Sequence, residues 1–150
     1  MTTITNDREF RAALDGLDAR QQRLVAARFV EDVLPLCTDE RINHAMVVAA
    51  DDGASATALA EALKSAKAAT IDCHARCGAE GDWEAQAGYF VARAAIAALT
   101  PLGQLPGGSA WQSAMSARMA QTSKSIVSGE DPAGPESEKQ YRILTAYLNT

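Results

Sequence analysis

The chain reads as an all-α domain, a single bundle of six or seven helices built around an Ala-rich antiparallel helical hairpin, and three observations lead there. Of its 150 residues 31 are Ala, against eight aromatics and five Pro, a balance that favours closely packed helices over sheets. Apolar residues recur at alternating three- and four-residue steps in most segments, the period of an amphipathic helix. Segment ends carry cap-forming residues, Gly or Pro. With 47% hydrophobic and 22% charged residues, a chain of this length is expected to form one domain over residues 1–150, burying ~70% of its unfolded surface.

Each element follows from local signals. Asn6 with Glu9, and Asp18 with Gln21, are spaced as capping boxes, and Gly16 closes the short helix between them. The second helix sets Ala26, Phe29, Val30, Val33 and Cys37 on one face and stops at Pro35. Thr38 is the expected cap of a third, whose stretch Ala45 to Ala50 is apolar on every side and predicts a central position. Asp51, Asp52 and Gly53 end it. From Ser55 a seam runs through Leu59, Leu63, Ala66, Thr70, Cys73 and Cys77. After Gly78 and Gly81, Asp82 can cap a helix whose seam is Trp83, Ala87, Phe90, Ala94 and Ala97, stopped by Thr100 and Pro101. The two seams predict the hairpin. Ser109 and Gln112 form a further capping box, opening a helix through Trp111, Met115, Met119 and Ile126. Residues Gly129 to Glu138, with Pro132 and Pro135, read as an exposed acidic loop before a last helix carrying Tyr141, Leu144, Tyr147 and Leu148.

The formal charge of −5 and pI near 5.0 disfavour a nucleic-acid or anionic-membrane partner and leave a basic protein open as one. Met1 to Phe10 contain no apolar run or cleavage pattern, so no secretory signal is expected and the cytoplasm is the expected compartment. The most membrane-like stretch, Ala85 to Leu99, is interrupted by Arg93 and falls short of the ~18 apolar residues of a span.

Few residues carry chemistry. Cys73, His74 and Cys77, in the order CHARC, have metal-ligand types, and an i, i+4 cysteine pair shares a helix face. Cys37 and His44 are the remaining Cys and His, but His44 projects opposite Ile42, Met46 and Ala49. The thiols also occupy seam positions where cysteine packs as a small hydrophobe, so no cofactor is expected. Arg93 stands alone in an apolar run and is expected to be a buried charge that must snorkel, pair or meet a partner. No glycine-rich phosphate loop, nucleophile elbow or zincin motif occurs. The acids Asp51, Asp52, Glu130, Asp131, Glu136 and Glu138 are the candidate contacts for a basic partner.

The order FVEDVLPLC, ERINHAMVVAA, ALAEALKSAKAATIDCHARC, AQAGYFVARAAIAALTP and ESEKQYRILTAYL resembles the Imm-5-like family of bacterial immunity proteins, over roughly Arg28 to Leu148. The matching positions are Val33 to Leu36, Arg41 to Met46, the two Ala-rich seams, and Glu136, Gln140 and Leu144. The resemblance implies a non-enzymatic protein that sequesters a cognate toxin, a basic one if net charge guides the choice, and supplies no catalytic residues. The alternative is a metal-binding or small-enzyme bundle using Cys37, Cys73, His74 and Cys77 in its core. The apolar helix faces also allow a homodimer.

Overall fold

A computed structural model describes residues 3–77, 83–101, 103–128 and 134–150. Among them lie seven α-helices and no strand: α1 (Asp7–Asp15), α2 (Ala19–Val33), α3 (Glu40–Ala50), α4 (Ala56–Cys77), α5 (Trp83–Leu99), α6 (Ser109–Ser128) and α7 (Gly134–Leu148). A single turn of 3-10 helix, Leu34–Leu36, carries Pro35 between α2 and α3. The all-α bundle is therefore the observed fold.

The local signals act largely as the spacing predicts. Asp18 and Gln21 close a complete capping box on α2, with both reciprocal bonds made, at 2.8 and 3.0 Å. At α1, Asn6 accepts the Glu9 N–H at 2.9 Å, but the return bond shifts by one residue, Glu9 Oε1 accepting from the Thr5 N–H at 3.0 Å. The cap of α3 is Asp39 and not Thr38, because the Asp39 carboxylate takes the Arg41 N–H at 2.9 Å and also the Arg41 guanidinium at 2.6 Å. The expected box at Ser109 is absent. Its hydroxyl donates to Thr100 O at 2.7 Å, while Gln112 reaches back to Pro106 O at 2.6 Å.

The centre of the bundle is α5. Val91, Ala92, Ala94 and Ala95 are wholly inaccessible, and Ala87, Ala97, Ala98 and Leu99 are nearly so. A helix apolar on almost every side belongs inside. The stretch Ala45–Ala50 of α3 shares that composition but is peripheral: Ile42, Ala45, Met46 and Ala49 face the core, whereas Val47 is 69% exposed. α5 packs against α4, as the paired seams predict, yet its most extensive contact is with α6. That contact is lined by small residues, with Ala110, Ser113, Ala114 and Ala117 of α6 all buried. Ser113 Oγ donates to Ala94 O across it at 3.0 Å, which satisfies a hydroxyl that burial would otherwise penalise.

Two polar side chains of α2 join helix ends. Arg23 donates to Ala49 O at 3.1 Å and to Asp51 O at 2.9 Å, serving carbonyls that the end of α3 leaves without helical partners. Gln22, buried at 4% exposure, donates through Nε2 to Leu14 O at 3.1 Å and accepts through Oε1 the Ala110 N–H at 3.2 Å. One amide thus closes the C-terminus of α1 and the N-terminus of α6. Gly108, at φ +92, brings the chain so close that a Cβ there would lie 2.9 Å from Gln22 Oε1.

Gln22→Ala removes both bonds and leaves the buried Ala110 N–H without its partner, while Leu14 O keeps the Leu17 N–H at 3.0 Å. A loss of ~2–3 kcal/mol is expected, read as a lower urea midpoint with an unchanged slope.

Candidate functional site

Two places concentrate the structure's unusual chemistry, a polar centre under α7 and an apolar groove between α4 and α5. The first is built from α7's inner face, where Glu136, Gln140 and Leu144 recur at four-residue steps and are buried at 1%, 0% and 0% exposure. Beneath them Phe10 packs on Phe29 and Tyr141, with ring centroids 5.5 Å apart in both pairs, and on Trp111 at 6.2 Å.

Arg118 of α6 organises this centre. Its Nε donates to Gln140 Oε1 at 2.8 Å, and its two terminal nitrogens form a fork on Asp7 at 3.0 and 2.8 Å. The guanidinium lies 5.6 Å from the Phe10 centroid and 5.9 Å from that of Tyr141, within cation–π range. Gln140 completes its bonding by donating to Ala114 O at 2.9 Å, and Tyr141 donates its hydroxyl to Asp7 Oδ1 at 2.8 Å. The arginine contact holds the Asp7 carboxyl below its ordinary value, while burial and the Asp7 charge push the Tyr141 hydroxyl up.

Glu136 is the exception to this satisfaction. Among the described residues neither of its carboxylate oxygens meets a hydrogen-bond partner. Burial first, and the neighbouring Asp32 carboxyl second, push its pKa up to about 8, with Lys139 and Arg118 opposing the shift. Its surroundings therefore favour the neutral, protonated form.

The groove is different in kind. Lys67, Thr70 and Ile71 of α4 face Tyr89 and Ile96 of α5 across an open volume of about 400 Å³. Thr70 turns its hydroxyl to Ala66 O at 2.7 Å, leaving its methyl to the lining. Ile71 is 70% exposed and stands at the apolar lining of the groove, beside Tyr89 and Ile96. Arg93, one turn along α5 from Tyr89, stands with its guanidinium 5.8 Å from the Tyr89 centroid.

The candidate residues separate accordingly. Arg93, expected to be buried, is exposed: α5 turns its Ala-rich faces inward and gives Arg93 the strip beside the groove. Glu136, expected on an exposed acidic loop, is buried, because α7 already begins at Gly134 and its first turn lies against the bundle. Glu138 is exposed. Asp51 and Asp52 are exposed too, but Asp52 pairs with Arg20 at 2.7 Å and Asp51 Oδ1 accepts the Gly53 N–H at 2.9 Å. Glu130 and Asp131 lie outside the described residues, as do the side chains of His74 and Cys77. Cys37 and Cys73 are buried, and His44 is exposed. Among the described residues no three His, Cys, Asp or Glu side chains gather as a metal site.

Arg118 escaped the sequence reading entirely. The i, i+4, i+8 spacing of Glu136, Gln140 and Leu144 was the available signal for the polar centre, since it marks one helix face. No family model, no curated protein and no solved structure matches the chain.

Because Arg118 holds the Asp7 carboxyl below its ordinary value of 3.8, the pair's stabilisation is present above that value and lost as pH falls through the lowered one. Asp7→Asn is expected to cost at most ~1 kcal/mol near neutrality, Asp7 being partly solvated. The gap from wild type should close in urea titrations run at progressively lower pH below 3.8.

Proposed function

We propose that the chain is a non-catalytic protein-binding module that takes an amphipathic helix of its partner into the groove between α4 and α5. The exposure of Ile71, set beside Tyr89 and Ile96 in a groove of about 400 Å³, is the observation that carries this reading. An aliphatic side chain in water is where a partner's apolar residues gain most from contact. Lys67 lines the groove and Arg93 borders it, cations on a chain whose net charge is −5. Apolar anchors flanked by carboxylates are therefore the complementary pattern.

The resemblance to Imm-5-like immunity proteins implies that the partner is a toxin, and the groove then selects an acid-flanked segment of it. This departs from the basic partner that net charge favours, because local charge at the contact outweighs the distant sum once salt screens beyond ~8–10 Å. The pairing of Asp52 with Arg20 further weakens the alternative surface around Asp51 and Asp52. Among the described residues no helix is long and apolar enough to cross a membrane.

The test titrates labelled protein with a synthetic amphipathic helix bearing leucines on one face and glutamates on its borders, alongside a lysine-bordered twin. Amide shifts confined to Lys67, Ile71, Tyr89, Arg93 and Ile96, favouring the acidic peptide by tenfold or more and weakening with salt, are expected. Ile71→Asp should abolish them, and Arg93→Glu should reverse the preference. Equal affinity for both peptides, shifts elsewhere, or occupation of the groove by a second copy in sedimentation runs would overturn the reading.

A further inference from the structure

We propose that Glu136 and Asp32 form a proton-dependent latch in which one shared proton holds the first turn of α7 against α2, and whose loss in alkali releases that turn. The argument starts from donors. A buried carboxylate needs several hydrogen bonds to replace water, and Glu136 at 1% exposure has none from the described residues.

The charged groups around it leave it unserved. Arg118, on α6, has its three nitrogens committed to Gln140 and Asp7. Asp7, on α1, is in turn taken up by Arg118 and Tyr141. Lys139, on α7 itself, lies 4.0 Å from Asp32 Oδ2, outside hydrogen-bond reach, with its side chain 45% exposed. Asp32, on α2, is the carboxyl group that neighbours Glu136. Two ionised carboxylates there would repel with one of them cut off from water. A single proton resolves both problems, because a protonated Glu136 is a donor and the Asp32 carboxylate an acceptor. Lys139 then balances the one remaining negative charge.

Removal of the proton reverses each of these gains. The ionised Glu136 can regain water only by leaving its place, and the nearest route is unwinding of α7's first turn, where helices fray most readily. The rest of α7 stays held by Gln140, by Tyr141 and by the wholly buried Leu144. The latch therefore works locally, on one turn.

The linkage has a definite direction. Between the ordinary glutamate value of 4.5 and about 8, the folded chain keeps a proton that the unfolded chain releases. Stability contributed by the pair is complete below that window, falls as pH rises through it, and is gone above it.

A carbon-detected NMR titration of the Glu136 carboxyl in the wild-type protein tests this directly. The expected midpoint lies near 8, and Asp32→Asn should move it down by a unit or more, since an amide can donate to the ionised carboxylate. In the same samples, amide exchange at Ser137 to Lys139, corrected for its intrinsic pH dependence, should accelerate about tenfold or more above the midpoint. Glu136→Gln should remove that acceleration and raise the thermal midpoint near pH 9 by roughly 5 °C or more. A Glu136 midpoint near 4.5, a midpoint indifferent to Asp32→Asn, or exchange that stays flat through the titration overturns the latch. Should Glu136→Gln fail to fold, the wild-type and Asp32→Asn titrations decide alone.

Discussion

The close approach of α5 to α6 is the constraint on which the other helices depend. Residues too small to hold the axes apart allow it, Ala94, Ala95 and Ala98 of α5 and Ala110, Ala114 and Ala117 of α6 being all buried. Alanine contributes little apolar area per residue, so the seam is cohesive only if the helices come near the lower end of the ~8–10 Å range and every polar group between them is bonded. Ser113 on Ala94 O and Ser109 on Thr100 O meet the second condition. With its small faces covered by α4 and α6, α5 becomes the axis of the fold, and the larger side chains are left to the helices around it: Phe29 and Val30 on α2, Ile42 and Met46 on α3, Phe10 on α1.

The polar groups at this boundary show two opposite solutions to burial. Around Arg118 each of the three guanidinium nitrogens donates a hydrogen bond: the fork on Asp7, the bond to Gln140, and the faces of Phe10 and Tyr141 together bind α1, α6 and α7 into one unit. Around Glu136 that supply runs out: the Arg118 guanidinium is turned to Asp7 and Gln140, and neither Glu136 oxygen receives a bond. The consequence is chemical as well as structural. A satisfied network is rigid and insensitive to modest changes in pH, whereas a carboxyl without donors has a protonation state tied to its position. One helix, α7, carries both, with Gln140 four residues from Glu136.

The outer surface shows a comparable contrast between sum and place. An acidic chain presents, beside the exposed Ile71, the cations Lys67 and Arg93. Recognition responds to the field within a Debye length and to the apolar area that a contact removes from water, so this strip governs what can dock there more than the net charge does. The acids at Asp52, Asp39 and Asp72 are meanwhile drawn into pairs with Arg20 and Arg41 that hold loops and helix ends.

What the amino-acid sequence determined by itself is whatever depends on neighbours three or four residues away. Asp18 with Gln21 sets the start of α2, Pro35 its end, and the seams of α4 and α5 the faces that pack, because caps and helical periodicity are short-range geometry. The partners of a face were not legible in this way. Val47 and Val91 both sit in stretches apolar on nearly every side, yet one is 69% exposed and one is wholly buried, a difference set by which helix the others surround. Arg93 is exposed and Glu136 buried, the reverse of what their local settings suggest, since exposure depends on the orientation of α5 and α7 within the bundle. Arg118 lies among small and polar residues with nothing local to mark it, and its role comes from Asp7, 111 residues away, and Gln140, 22 residues away. Tertiary structure alone decided these, because burial and charge pairing are properties of the space between helices, which no single helix contains.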